Sequence, residues 1–291
     1  MSFTTDLAGF LPDLAVLVNR SLVSVPPGWT LTPARLGVFL RSPSAWAVHY
    51  PEPPAFVKQD MGVVADGRLL AAGQYAVVGR TCYLCWLAAD PGEPGALEEL
   101  LEELKDLATG QGCDELAQSR NELGVGWFGT PLCWDHVFRG LREAGWEPGD
   151  RWLVMTGETD AAAPVLEPPF RSIRLDRSEN PEALEWSVDA RVGDVPAADC
   201  TLWGLPELFR DCPGCAEWMT LESIDVEEPF QRHGIALWLV GEQMRWLAGR
   251  GFRHVLLFTE TGNLPARGCF EKAGFVPGPE CWVMRRSLHP R

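Results

Sequence analysis

The chain has 291 residues, of which 46% are hydrophobic and 22% are charged. This composition is that of ordinary globular proteins, and it excludes the disordered and fibrous classes. Asp and Glu number 40 against 25 Lys and Arg, so the formal net charge is −15. Such a negative surface argues against nucleic acid and anionic membranes as partners, and it attracts cationic amines. The length allows two domains or one large one.

Targeting signals are absent from the sequence pattern. The N-terminal segment carries Asp6 and Asp13 and has no basic start, unlike a secretory signal peptide. No charge-free apolar run approaches the roughly 18 residues that a membrane span needs. Nine cysteines are an odd count, which fits reduced thiols better than a disulfide framework. We therefore expect a cytoplasmic protein with no membrane segment.

The first half predicts two helices, an antiparallel hairpin and a strand–helix–strand unit, in that order. Apolar residues at helical spacing predict a helix over Asp6–Arg20, and a second helix is predicted over Pro33–Leu40. Two extended runs flank Asp66-Gly67, a pair that favours the tight turn of a hairpin. The remaining elements are a strand over Cys82–Ala89, a helix over Ala96–Thr109 and a strand over Glu115–Ser119. This order indicates an α/β fold.

The second half repeats part of this order. Ala144–Gly149 (AGWEPG) resembles Ala273–Gly278 (AGFVPG), and each lies between a short helix and an apolar strand. The first copy carries about ten extra residues near Asn121–Pro131. Chance similarity of two short turns is the alternative to a duplication. We predict an N-terminal domain over residues 1–158, an Ala- and Pro-rich linker over 159–169 and a C-terminal domain over 170–291.

The segment from Trp218 to Glu260 contains the strongest functional signal. A first strand is predicted over Trp218–Val226, with Trp218, Thr220, Glu222, Ile224 and Val226 on one face. A helical stripe follows from Leu237 to Ala248, and His254–Glu260 predicts a second strand. A strand–helix–strand connection is right-handed by default. The loop Gln231–Ala236 therefore lies at a helix N-terminus.

A helix N-terminus is a natural anion site. Its first N–H groups have no partner within the helix, and the helix dipole adds about half a positive charge. Gly234 removes the Cβ from the approach path, while Arg232 and His233 add a cation in an otherwise acidic chain. The loop therefore fits a diphosphate group, although a lone glycine loop before a helix is common.

At these residues the sequence resembles the GNAT acetyltransferase superfamily. Gln231-x-x-Gly234-x-Ala236 resembles that family's acetyl-CoA diphosphate signature. Downstream, Asn263-x-x-Ala266-x-x-x-Phe270-Glu-Lys-Ala-Gly274-Phe275 resembles its next element. The resemblance implies a tandem GNAT fold, α/β with mixed sheets, in which the first half is a degenerate second copy.

The resemblance also implies a mechanism and a set of site residues. An amine of a small molecule or peptide attacks acetyl-CoA directly, with no metal. Glu222 is the first candidate for the general base and Glu260 the second, on the strand opposite. Where the family commonly has a Tyr that protonates the departing thiolate, this chain has Phe270. The residues implied to bind the coenzyme are Ile224, Asp225, Val226, Gln231, Arg232, His233, Gly234, Ile235, Ala236, Asn263 and Phe270.

The first copy has lost the equivalent loop features. Its counterpart, Asp90–Gly95, has two prolines without N–H donors and two acidic residues that repel phosphate. We expect this copy to be structural or to bind coenzyme weakly. The second copy in turn has only about ten residues between the strands predicted over Phe170–Leu175 and Glu185–Ala190, too few for the two helices that usually wall the acceptor side. The first half, or a second subunit in a homodimer, would complete that side.

Two other interpretations remain open. The chain could be a module that binds or senses CoA without turnover, as Phe270 and the altered first loop suggest. Four cysteines in two C-x-x-C pairs, at Cys82 and Cys212, resemble a zinc set. The first pair lies in a predicted strand, however, where residues three apart point to opposite faces. We therefore expect no metal site.

Overall fold

The computed structural model describes residues 1–42, 58–118, 123, 128–160, 166–181, 184–205, 207–209 and 212–289. The chain divides into two compact units. Unit 1 comprises Met1–Trp152 and Pro279–Arg291, and unit 2 comprises Leu153–Gly278. Both are mixed α/β units, which confirms the predicted fold class. Within the described residues, no helix is long and apolar enough to cross a membrane.

The elements follow the predicted order closely. In chain order the helices are α1 Leu11–Leu22, α2 Pro33–Arg41, α3 Pro94–Gly110, α4 Asp135–Glu143, α5 Ile235–Gly249 and α6 Leu264–Lys272. The strands are β1 Ser2–Thr4, β2 Gln59–Ala65, β3 Arg68–Val78, β4 Thr81–Ala89, β5 Glu115–Gln118, β6 Thr130–Pro131, β7 Glu147–Glu158, β8 Ile173–Asn180, β9 Glu185–Val192, β10 Val195–Gly204, β11 Trp218–Val226, β12 His254–Glu260 and β13 Val276–Ser287.

Unit 1 has a sheet that is covered on both faces. Its strand order is β1-β2-β3-β4-β5-β13, and β4–β5 is the parallel pair. Consecutive residues of β3 and β4 are buried, because α1 and α3 both pack against these strands. Asp66 and Gly67 both have positive φ, which confirms the tight turn between β2 and β3.

Helix α1 starts later than the sequence predicts. A single 3-10 turn over Ala8–Phe10 precedes it, and the α-helix begins at Leu11 with Pro12 in its first turn. Proline is favoured at that position because its missing N–H would have no helical partner. Over a single turn, the 3.0-residue period of a 3-10 helix hardly differs from the 3.6-residue period of an α-helix, so the apolar pattern placed the helix start too early.

Unit 2 has a sheet that is covered on one face. Its order is β12-β11-β10-β9-β8, with the second half of β7 beside β12. Helix α5 packs on β10 and β11. Residues of β8, β9 and β10 alternate between core and solvent, so their second face is polar and exposed. Strand β8 begins at Ile173 rather than Phe170, and only residues 181–184 connect it to β9.

The two copies exchange the strand that follows their last helix. Strand β13 pairs antiparallel with β5, with Arg285 opposite Ala117, and residues 279–291 thereby belong to unit 1. Residues 153–158 of β7 belong to unit 2. The unit boundaries therefore differ from the predicted domains 1–158 and 170–291. Within the predicted linker 159–169, residues 161–165 lie outside the described part of the chain.

Candidate functional site

Strands β11 and β12 are parallel and separate after a short paired region. The register joins Trp218 to His254 and ends with Leu221 opposite Leu257. Strand β11 continues in register with β10 as far as Val226. One edge of residues 222–226 therefore faces the gap between the two strands and offers its main-chain groups there.

A β-bulge lies where the strands separate. Thr201 is opposite Ser223, and the next residue of β10, Leu202, is opposite Leu221. The register thus passes over Glu222, which is the extra residue of β11. A bulge of this kind bends the strand and re-aims the side chains that follow it. Bulges are over-represented next to active sites for this reason.

The bulge overturns the predicted alternation of β11. Ile224 and Val226 pack against the hydrophobic core of unit 2, as Leu221 does. They therefore do not continue the face of Trp218 and Thr220, as the sequence suggested. The pattern failed here because a single inserted residue shifts the period of two by one position. Asp225, between them, is exposed on the opposite face.

The loop before α5 presents main-chain N–H groups to solvent. Arg232 and Gly234 both have positive φ, 62° and 85°, on either side of His233. Successive N–H groups around such left-handed positions form a concave anion-binding nest. Within the described chain, no acceptor is hydrogen-bonded to the N–H groups of residues 232–237. Residues 231–234 are exposed.

Gly234 is required by backbone conformation rather than by space. A Cβ built at this position meets no atom within 4 Å, but φ is +85°. An L-residue costs about 1–2 kcal/mol in the left-handed region. Arg232 bears this cost at φ 62°, so the surrounding structure must hold the loop in place.

Gln231 fastens the loop to the end of β11. Its Nε2 donates a hydrogen bond to the Val226 carbonyl oxygen at 3.0 Å. The main-chain N–H of Phe230 also donates to the Glu227 carbonyl, at 2.8 Å, which closes a 3-10 turn over Glu228–Phe230. The Gln231 side chain is therefore engaged with the protein itself, and its main chain leads into the nest.

Helix α6 begins at Asn263, which the sequence placed beside the coenzyme. The Asn263 Oδ1 accepts the Ala266 N–H at 3.2 Å and caps the helix. Phe270 is buried in the core of unit 2, with its ring 5.8 Å from that of Phe275. The adjacent Cys269 is half-buried, and burial raises the pKa of its thiol. A neutral, half-buried thiol at this position is better explained by side-chain packing than by a catalytic role.

The two candidate bases have different settings. Glu222 is half-buried at the bulge, whereas Glu260 is exposed at the end of β12. Both lie on the strands that separate, on either side of the gap. Within the described residues, no group of three or more His, Cys, Asp or Glu side chains could hold a metal ion.

Sequence reasoning missed a row of four aspartates across unit 2. On the exposed sheet face, each is directly opposite the next in register: Asp176 with Asp189, Asp189 with Asp199, and Asp199 with Asp225. Burial raises the pKa of Asp199, and the charges of Asp225, Asp189 and Glu227 raise it further. Like charges directly opposite each other destabilise a sheet. The row ends at Asp225, on the strand that borders the gap.

The equivalent loop of unit 1 is closed by its own carboxylate. Asp90 Oδ1 accepts the Gly92 N–H at 3.0 Å and forms an ion pair with Arg20 at 2.8 Å. Arg68 lies 3.8 Å from the other carboxylate oxygen. Partial burial raises the pKa of Asp90, but the Gly92 N–H and the two guanidinium groups outweigh it and hold the pKa below its ordinary value. An internal anion thus engages the cations nearest to this loop.

The strand gap of unit 1 is filled by protein. Strands β4 and β5 pair from Thr81 to Leu84 with Glu115 to Gln118. Beyond that point, Gln118 Nε2 donates to Thr130 Oγ1 at 2.8 Å, and Gln118 Oε1 accepts the Met284 N–H at 3.2 Å. The cavity beside them measures about 10 Å³, which is room for one water molecule at most.

The comparisons with known proteins agree with this geometry. The model of the GNAT acetyltransferase family matches residues 152–275. Unit 2 therefore resembles the GNAT acetyltransferase family in its sequence. This confirms the resemblance drawn from the sequence motifs, and the matched region is almost the whole of unit 2. A search of curated protein sequences finds no significant match.

Solved structures with the same fold include a tandem GNAT protein. A GCN5-related N-acetyltransferase from Sphaerobacter thermophilus is 14% identical with a TM-score of 0.71, and the alignment covers 99% of this chain and 96% of that one. A tandem GNAT protein from the clavulanic acid biosynthesis pathway is 14% identical with a TM-score of 0.70, covering 100% and 99%. At this identity the likeness shows the fold alone.

Proposed function

We propose that unit 2 binds acetyl-CoA and transfers its acetyl group to an amine. The observation that supports this most directly is that two features follow each other along the chain: the gap beside residues 222–226 of β11, and the nest of N–H groups at residues 232–237, at the start of α5. The donors suit a diphosphate, since they have no acceptor within the described protein and the first of them, at residues 232–234, are exposed. The main-chain groups along the gap suit the amide groups of a pantetheine arm, which can hydrogen-bond to them as a neighbouring strand would.

Each part of the site has a distinct task in this proposal. The main chain of Ile224, Asp225 and Val226 hydrogen-bonds the arm, and Asn263 lies on the opposite side. The N–H groups from Arg232 to Ala236 hold the diphosphate, while Arg232 and His233 add positive charge. The Gln231 N–H, which the sequence also assigned to the diphosphate, donates to the Glu228 carbonyl oxygen at 3.3 Å instead. The bound thioester supplies an activated acetyl group and a thiolate leaving group. The protein's own contribution is to orient the amine and to accept its proton.

Glu222 is the proposed general base, directly or through water. The bulge at Glu222 lies where β11 and β12 separate, which supports a role for this carboxylate in accepting the proton of an attacking amine. Glu260 is the second candidate, at the end of the opposite strand. Phe270 has no exchangeable proton and is buried, so water or another group protonates the departing thiolate.

The proposed acceptor is a cationic amine of a small molecule or peptide. The four aspartates of the exposed sheet face support this, because the row ends at Asp225 beside the gap. A negative surface concentrates cations and raises their association rate, an effect that salt reduces. Release of free thiol from acetyl-CoA, measured with a panel of cationic, neutral and acidic amines, tests this. Turnover confined to acidic amines would contradict the assignment.

A CoA-binding module without turnover is the second candidate. The absence of a hydroxyl at Phe270 favours it, as does the precedent of unit 1, in which the same fold has a loop closed by Asp90. The two candidates predict the same calorimetric binding of CoA but differ in thiol release. Binding without release from any amine in the panel would favour the module, and an absence of binding would refute both.

A further inference from the structure

Phe170 touches both ends of the loop that precedes α5. It lies just before β8, and its ring packs edge-on against Phe230, with the ring centres 6.0 Å apart. The same ring lies 5.5 Å from the His233 imidazole, at an interplanar angle of 48°. Residues 230 and 233 flank Gln231 and Arg232. One side chain, distant in sequence, thus bridges the two ends of the loop.

The loop needs such support from outside. Arg232 has a left-handed backbone that an L-residue rarely adopts alone, and the loop is exposed. Gln231 holds the beginning of the loop through Val226. Among the described residues, the ring of Phe170 is the one interaction partner of the His233 side chain. Helix α5 also anchors this end of the loop, since the Gly234 carbonyl accepts the Trp238 N–H at 3.0 Å and Ile235 is buried. Phe170 adds the contact that orients residue 233, between the two left-handed positions.

We propose that Phe170 is a positioning residue that keeps this loop in its anion-binding conformation. The inference rests on the proposed binding of CoA by unit 2. Phe170 does not itself touch the coenzyme. Phe170 holds the loop in order before the ligand binds, so binding does not have to supply the free energy of ordering it. This preorganisation increases the affinity for the diphosphate part of CoA. Affinity for a ligand without a diphosphate does not depend on it.

The test compares two ligands in three variants. Phe170→Ala removes the ring, and Phe170→Tyr keeps it. Phe252→Ala is the matched control, because Phe252 packs in the same core against Trp186, with ring centres 6.2 Å apart. Calorimetry or competition measures the Kd of CoA and that of pantetheine, which ends before the diphosphate. Thermal unfolding of each variant reports its stability.

The expected result is a loss specific to the diphosphate. Phe170→Ala raises the Kd of CoA about tenfold, equivalent to about 1.4 kcal/mol, and changes the Kd of pantetheine less than twofold. Phe170→Tyr binds CoA as the wild type does. Phe252→Ala lowers the Tm but leaves both Kd values within twofold. If turnover is observed, Phe170→Ala raises the KM for acetyl-CoA and leaves kcat unchanged.

Two outcomes overturn the inference alone. One is wild-type affinity for CoA in Phe170→Ala. The other is an equal loss of affinity for CoA and pantetheine, which would mean general damage to unit 2. If the wild-type protein itself binds no CoA, the proposed function and this inference both fail.

Discussion

Asp199 occupies the most crowded position of the aspartate row, and its removal is expected to stabilise the protein. Asp189 and Asp225 are directly opposite it on the two neighbouring strands. A like-charge pair in this arrangement costs roughly 0.2–1 kcal/mol. Asp199→Asn removes two such pairs, so we expect a gain of about 1 kcal/mol at pH 7. For a protein of this size the gain corresponds to a rise in Tm of about 3 °C.

The stability gain from Asp199→Asn should increase with pH. The folded state raises the pKa of Asp199, so folding favours its protonated form. Stability contributed by this group is greatest at low pH and is lost as the pH rises from the unfolded value through the folded one. The advantage of Asp199→Asn is therefore largest at neutral pH and shrinks as the pH falls toward 4. Asparagine does not ionise, so the variant lacks this part of the wild-type pH dependence.

Differential scanning calorimetry at pH 7 and pH 4.5, in low salt and in 1 M NaCl, tests the argument. High salt shortens the Debye length to about 3 Å, which is less than the spacing of neighbouring strands. It should remove the part of the gain that comes from the charges of Asp189 and Asp225, whereas the part that comes from burial of Asp199 should remain. Asp176→Asn is the matched control: Asp176 ends the row, and Arg174 lies 3.5 Å from its carboxylate. A gain from Asp199→Asn that is absent at pH 7, or equal at both salt concentrations, would refute the electrostatic account.

Three further predictions concern the base, the loop and the strand exchange. Glu222→Gln should lower the rate of thiol release and flatten its rise with pH while the Kd of CoA stays constant; unchanged kinetics would remove Glu222 from the mechanism. Gly234→Ala and Gly251→Ala should each lower the free energy of unfolding by about 1–2 kcal/mol, because both positions have positive φ and open space around the Cβ. In calorimetry, only Gly234→Ala should weaken the binding of CoA. A fragment of residues 153–278 should unfold cooperatively when followed by circular dichroism. A fragment of residues 168–291 should not, because that fragment lacks the buried part of β7. Equal cooperativity of the two fragments would contradict the strand exchange.

Local features of this fold could be read from the sequence. The hairpin at Asp66-Gly67 follows from residues that tolerate positive φ, and the structure has them there. The start of α5 follows from Gly234 and the apolar stripe after it. Each of these features depends on a few adjacent residues. The residues that determine these features are therefore adjacent in the sequence, which makes the features predictable.

Features that depend on pairing could not be read in the same way. The bulge at Glu222 exists only relative to β10, and the alternation of β11 gives no sign of it. The strand exchange was hidden because β7 and β13 follow equivalent helices, so either could complete either sheet. The aspartate row also requires a register across four strands. Its one readable signal was the polar alternation within β8 and β9, which marks a sheet face without a helical cover.

The two copies differ in the loop that, in unit 2, is the proposed anion site. In unit 2 the loop before α5 leaves its N–H groups without protein acceptors, and its left-handed positions converge them. In unit 1 a carboxylate, Asp90, engages the Gly92 N–H and the guanidinium group of Arg20. The helix that follows is retained in both copies, because its apolar face packs on the sheet whether or not a ligand is present. Packing of its apolar face accounts for the helix in both copies. The exposed loop of unit 2, with Arg232 in a left-handed conformation and N–H groups without protein acceptors among the described residues, supports the proposed ligand binding.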